Sequence, residues 1–176
     1  MTIRKICLFS LAACCLLLGP SANAADEGTV HVTIPWDGDG QVYRDSPTSV
    51  VYIGAIKGIM YIESSEGDMH EAFVVCPIMQ EVDLKSGDTN AVGRCEITAA
   101  PDKVAFASFS CKGRIGECEG DFKLVGGEEK YRGISGSGKL KVRSPIHALA
   151  ADLGTGDVLR VASGLAVIRE LHYKIP

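Results

Sequence analysis

The stretch GGEEKYRGISGSGKLKV, Gly126 to Val142, carries five glycines in its first thirteen positions. Glycine at that density serves either a loop that cradles phosphates or the turns and kinks of a tightly curved β-sheet. A dinucleotide fingerprint needs G-x-G-x-x-G opening a helix after a buried strand. Here the order is Gly133, Gly136, Gly138, and the following KLKVRS alternates charged and apolar residues, which is the period of a strand. A P-loop needs Gly-Lys-Ser/Thr, and Gly138-Lys139 is followed by Leu140. A nucleophile elbow fails too, since Gly133-Ile134-Ser135-Gly136-Ser137 puts its last glycine one place late. The turn-and-kink reading stands.

Outward from this hairpin the periodicity is almost entirely of the β type. TVHVTI (Thr29–Ile34) alternates Val30, Val32 and Ile34 with polar residues. SVVYIGAIKGIMYIE (Ser49–Glu63) is a long apolar strand broken by Gly54 and Gly58, which sit four apart and so share one face. EAFVVCPI and GRCEIT follow, separated by the turn-rich DLKSGDTN. VAFASFSC, ECEGDFKLV and LAVIRELHYKI complete the set. DGDG (Asp37–Gly40) reads as a turn with two solvated aspartates. A calcium loop is disfavoured there because Gln41 and Val42 stand where a ligand and a glycine are needed. The one helical candidate is Ile146 to Leu153, about two turns long. No internal repeat, linker or low-complexity segment is evident. Eight or so strands at short spacing predict an all-β fold, a single antiparallel barrel or sandwich with at most one short helix.

The first 24 residues read as a cleaved signal peptide. Arg4 and Lys5 precede the thirteen-residue apolar run Ile6–Leu18, and Ala22-Asn23-Ala24 supplies the small residues of a cleavage site after Ala24. The run is too short for a membrane-spanning helix, which needs roughly 20 apolar residues. Residues 25–176 then form the one domain of an exported protein, periplasmic or secreted. The alternative is a lipoprotein anchored at Cys14, but Cys15 and three leucines follow directly where a solvated tether belongs.

Losing Arg4 and Lys5 takes the net charge from −4 to −6. A net-acidic chain with few aromatics disfavours nucleic-acid binding. Four cysteines remain after the signal: Cys76, Cys95, Cys111 and Cys118. An even number in an exported chain predicts two disulfides, and no C-x-x-C knuckle supports zinc. Four cysteines allow three connectivities, and spacing does not choose among them. The pairing adopted is 76–95 with 111–118, each stapling its own hairpin, with 95–111 left open.

The segment CEGDFKLVGGEEKYRGISGSGKL resembles the signature of the allene oxide cyclase barrel-like and dirigent-like proteins. The matching positions are Gly120, Phe122, Gly126, Gly127, Tyr131, Gly133, Ile134, Gly136 and Gly138. The likeness is sharp over about twenty-five residues and loose from roughly Val50 to Arg143. One departure is Glu128-Glu129, where the pattern has Thr-Gly, so this turn must be built differently. The resemblance implies an eight-stranded antiparallel barrel, often a homo-oligomer, with no metal or organic cofactor. The signature belongs to the scaffold and carries no reaction with it.

The expected function is that of an exported, non-enzymatic barrel that holds a small apolar ligand, although a fully packed interior fits the sequence equally well. The alternative is an isomerase or cyclase of the allene oxide cyclase type. That would need polar groups facing an apolar cavity, and Glu63, Glu170 and His172 lie on strand-like segments without matching the family's reactive residues. No catalytic, cofactor or metal residue is assigned. His31, His70, His147 and His172 are scattered, with no H-E-x-x-H or paired spacing. A third reading is a structural envelope protein acting through its surface, for which Lys139, Lys141 and Arg143 line up on one strand face.

Overall fold

A computed structural model describes residues 25–145 and 158–176. The proposed signal peptide, its cleavage site and Cys14, and the helical candidate Ile146–Leu153, lie outside the described residues. Eight strands are present: β1 (Asp26–Ser46), β2 (Ser49–Ser64), β3 (Met69–Asp83), β4 (Asp88–Ala100), β5 (Lys103–Arg114), β6 (Glu117–Glu129), β7 (Ser135–Arg143) and β8 (Val158–Ile175). Each pairs antiparallel with the next, and β8 pairs with β1 to close the barrel. Among the described residues there is no helix, and so none long and apolar enough to cross a membrane. The fold class is therefore the expected one.

Alternation along the strands builds the interior. Val32, Ile34 and Val42 of β1, Val50, Tyr52 and Met60 of β2, and Ala72, Val74 and Cys76 of β3 are all buried, while their sequence neighbours face outward or lie between. The alternation changes phase at Arg169–Glu170 of β8. Ala166 and Ile168 point inward, then Leu171 and Tyr173 do, with Arg169 and Glu170 exposed between them. One extra residue sits there, and the register shifts against both β1 and β7 at that point. This is a β-bulge, which bends the strand and raises its twist, as barrel closure requires.

The DGDG segment is not a turn. Asp37 to Gly40 runs through the middle of β1, paired to Lys57–Gly54 of β2. The aspartates occupy the outward phase and the glycines the inward one, so the strand period prevails over the turn propensity of the four residues. Gly54 and Gly58 do share the inner face.

The glycine-rich stretch divides between a turn and close strand contacts. β6 ends at Glu129, which adopts φ 46°, the one described non-glycine residue with positive φ. Tyr131 N–H donates to Glu128 O at 2.8 Å, and Ile134 N–H to Tyr131 O at 2.9 Å. The chain reverses through Gly133 at φ 79°. Glu129, one of the two glutamates that follow the double glycine, thus takes the left-handed conformation itself. Gly120 has another role: a Cβ there would overlap the Ser110 carbonyl oxygen and the Cys111 backbone of β5.

Both disulfides are those expected. Cys76 joins Cys95 across β3 and β4, and Cys111 joins Cys118 across β5 and β6. All four cysteines are buried on the inner face. The second bridge is diagonal, since Cys111 lies opposite Gly120 and Cys118 opposite Gly113, and neither glycine puts a side chain in its way. By loop-closure entropy the first bridge contributes about 3 kcal/mol and the second, closing a shorter loop, somewhat less.

Gly120→Ala is expected to destabilise the protein by roughly 2–4 kcal/mol in chemical denaturation, because backbone and not a mobile side chain blocks the added methyl. A change below about 0.5 kcal/mol would show that β5 and β6 are not packed this closely.

Candidate functional site

The interior is neither hollow nor filled throughout. Val32, Ala107 and Ile168, almost fully buried, close the waist of the barrel. A chamber lies on each side. The larger, about 680 Å³, opens at the end that carries the loops 65–68, 101–102 and 130–134 and the described chain termini. Its floor is Met60, Ala72, Ile97, Ala105, Leu124 and Leu171, all buried. Its rim holds Asp26, His70, Glu71, Lys103 and Lys130 together with Tyr131 and Tyr173.

The rim chemistry is that of neutral donors beside dispersed charges. Burial, and after it the carboxylate of Asp26, pushes both the Tyr131 and Tyr173 phenols above their ordinary range. They remain protonated donors at any physiological pH. Tyr173 Oη lies 3.4 Å from Asp26 Oδ1. Lys130 is engaged with Asp102 at 2.6 Å, and this pairing lowers the Asp102 carboxyl. Lys130 therefore marks the mouth without being a free cation. Tyr131 and Ile134, two of the signature residues, line this chamber, while Phe122 is buried in the core.

The smaller chamber, about 100 Å³, lies toward the opposite end. It sits between the main core and a second apolar cluster of Val42, Val50, Tyr52, Val82 and Ala162, with Trp36 and Ile78 packed against both. All four cysteines line it. Its loops are tied together: Ile115 N–H donates to Gly87 O at 2.8 Å, Ser144 N–H to Gly116 O at 2.8 Å, and Arg114 Nη2 to Ser86 O at 2.7 Å. Three polar side chains on its wall are bonded within the protein, while Trp36 Nε1 is buried without a partner. Gln80 Nε2 donates to Thr89 Oγ1 at 2.7 Å, and Thr89 Oγ1 to Glu81 O at 3.1 Å. Tyr52 Oη donates to Asp39 O at 2.7 Å, and burial followed by the Asp39 charge pushes its pKa to about 12.

None of the three polar residues weighed for a cyclase lines either chamber. Glu63, Glu170 and His172 are all exposed. Glu63 takes the outward phase of β2, Glu170 sits on the β8 bulge, and His172 Nδ1 meets Thr29 Oγ1 at 2.7 Å on the outer surface. The basic row on β7 is also accounted for. Lys139 pairs with Asp121 at 2.6 Å, Lys141 with Glu119 at 2.8 Å, and Arg143 with Glu117, a cross-strand ladder along β6. The row is thus neutralised where it stands. Among the described residues no group of three or more His, Cys, Asp or Glu is placed to hold a metal.

Two features of the site escaped the sequence. Trp36 carries the expected inward parity of β1, yet DGDG read as a turn cut the strand short beside it. His70 and Glu71 look like strand residues, and only the barrel's closure gathers them with Lys103 and Asp26 from distant segments.

The Tyr52 phenol gives a pH signature. Its folded pKa is raised from the ordinary 10, so the stability it contributes is intact below pH 10 and is lost as pH rises toward about 12. Urea midpoints measured from pH 9 to 12 should fall more steeply for the native chain than for Tyr52→Phe. Parallel curves would place Tyr52 in water.

No family model, no curated protein and no solved structure matches the chain.

Proposed function

We propose that the protein is an exported, non-enzymatic barrel that takes a small apolar or amphipathic ligand into the larger chamber. The observation that carries this reading is the chamber itself: about 680 Å³, apolar below and polar at the lip. That volume falls within the roughly 300–1,000 Å³ of small-molecule sites, and so does the balance of apolar wall and few polar groups. Neutral Tyr131 and Tyr173 would meet a polar end, with Lys103 and His70 beside them. Binding is favoured over catalysis because the groups weighed for a cyclase face solvent. The likeness to allene oxide cyclase barrel-like proteins rests on the signature residues quoted above and supports a scaffold, not a reaction.

Export is supported by the two buried disulfides, which are compatible with an oxidising compartment. A homo-oligomer, as the resemblance implies, would have a surface to use. Tyr43, Ile53, Ile59, Tyr61, Phe73 and Met79 are exposed on the outer faces of β1 to β3, where Ile53 pairs with Met79 and Ile59 with Phe73.

Nile red titrated into protein exported by a bacterial host should bind saturably, one dye per chain. Ala99→Trp, which fills the mouth from an exposed position, should weaken binding at least tenfold without lowering the melting temperature. Ile53→Lys on the outer face should leave it unchanged. Non-saturable binding, or loss through Ile53→Lys alone, would contradict the proposal. Native mass spectrometry of the same sample should give a chain starting at Ala25, four hydrogens light, and would count the copies directly. Free thiols or a lipid on Cys14 would overturn the export reading.

A further inference from the structure

The mouth of the larger chamber is electrically uneven, and two aromatic rings stand on it. On one side the ends of β8, β1, β2 and β3 meet, with the 65–68 loop between the last two. Residues 26–27, 63–71 and 172–176 there hold six carboxylates (Asp26, Glu27, Glu63, Glu66, Asp68 and Glu71) against the one cation Lys174. With histidine counted as neutral, that side carries a net charge of −5. The amino group that cleavage after Ala24 would leave beside Asp26 offsets only one of those charges. On the other side, residues 102–103 and 128–132 set three carboxylates against three cations. Lys130 is held there by Asp102 at 2.6 Å, and Lys103 lies opposite Glu129 in the register of β5 and β6.

Tyr173 belongs to the negative side. It lies opposite Gly28 on β1 and Gly136 on β7, so neither neighbouring strand sets a side chain against it. Its ring leans over β1, since a Cβ on Gly28 would come within 3.1 Å of Cε1 and 3.2 Å of Oη. That brings Oη to 3.4 Å from Asp26 Oδ1. Tyr131 lines the same mouth, and burial, followed by the charge of Asp26, raises its phenol. One carboxylate on the chamber wall thus acts on both rings. Aromatic faces beside a carboxylate attract an ammonium group, more strongly where water is partly excluded. A mouth dominated by one sign also concentrates the opposite charge from solution. A carboxylate head meets repulsion from the same groups, and an uncharged head gains nothing from them.

We propose that the ligand of the larger chamber is an amphipathic cation, an apolar body that carries an ammonium group. The head lies at Tyr131, Tyr173 and Asp26, and the body lies on the apolar floor. This rests on the chamber being a ligand site, as proposed above, and adds the sign of the ligand's charge. No bond is made or broken.

Decyltrimethylammonium, decanol and decanoate share a chain and differ in the charge of the head. Each is used below its micelle concentration to displace Nile red from the exported protein. The ammonium compound should compete about tenfold more strongly than decanoate, with decanol between them. Salt at about 0.5 M should shrink that span several-fold. Asp26→Asn combined with Glu71→Gln should bring the three probes within about threefold of one another. Asp45→Asn combined with Glu81→Gln makes the same change of charge on exposed residues toward the opposite end, and should leave the span as it was. Tyr173→Leu should weaken the ammonium compound about three- to fivefold and decanol less than about twofold. Decanoate competing as strongly as the ammonium compound would overturn the proposal. So would a span unmoved by the Asp26 and Glu71 changes, or one reduced equally by the control pair. Saturable dye binding without a preference among the heads defeats this inference alone, whereas no saturable dye binding defeats the chamber reading along with it.

Discussion

The pairing of β1 with β8 is the constraint on which the rest of the molecule depends. Once those strands join, no sheet edge is left along the barrel, and the inner faces must fit a space that eight strands make just wide enough for side chains. Small inward residues such as Ala72, Ala91, Ala105, Ala107 and Ala166 meet that limit beside Met60, Phe122 and Ile168. Gly120 lets β6 lie against β5 without a methyl between them. The bulge at Arg169–Glu170 lets β8 bend to meet β1 while keeping Ile168 and Leu171 both inside. Val32, Ala107 and Ile168 line neither chamber, and the two chambers lie toward opposite ends.

The two halves of the wall differ in chemistry. β6 and β7 carry a ladder of opposite charges on the outside, each rung solvated and of small individual worth. β2 and β3 instead expose isoleucine, tyrosine, phenylalanine and methionine. Inside, the two disulfides belong to β3 through β6 and line the smaller chamber. That chamber is therefore covalently braced. The larger one is framed by unbridged strand ends and short turns, a place better suited to admitting a ligand.

Much of the fold was legible because strand period is a local signal. KLKV after Gly138 marked β7, and the short spacing between apolar segments marked a meander of hairpins. The cysteine pairing adopted, one bridge per hairpin, is the one the structure shows, although spacing left three connectivities open. DGDG misled because turn propensity is also local, and only pairing with Gly54–Lys57 overrides it. The phase change in AVIRELHY, where two consecutive charged residues interrupt the alternation, was present in the sequence and is the trace of the bulge. The sites were far less legible. Each chamber is assembled from residues of many strands, so neither leaves a motif. Nor does any local pattern show that a tryptophan's nitrogen will be buried without a partner.

The account turns on a barrel closed at its waist with an apolar chamber next to Trp36. Crystals of the exported protein pressurised with xenon would test that directly, because xenon enters dry apolar cavities and avoids packed ones. A xenon peak should appear beside Trp36, with none among Val32, Ala107 and Ile168. A peak at the waist, or a Trp36 site collapsed and empty of xenon, would contradict it.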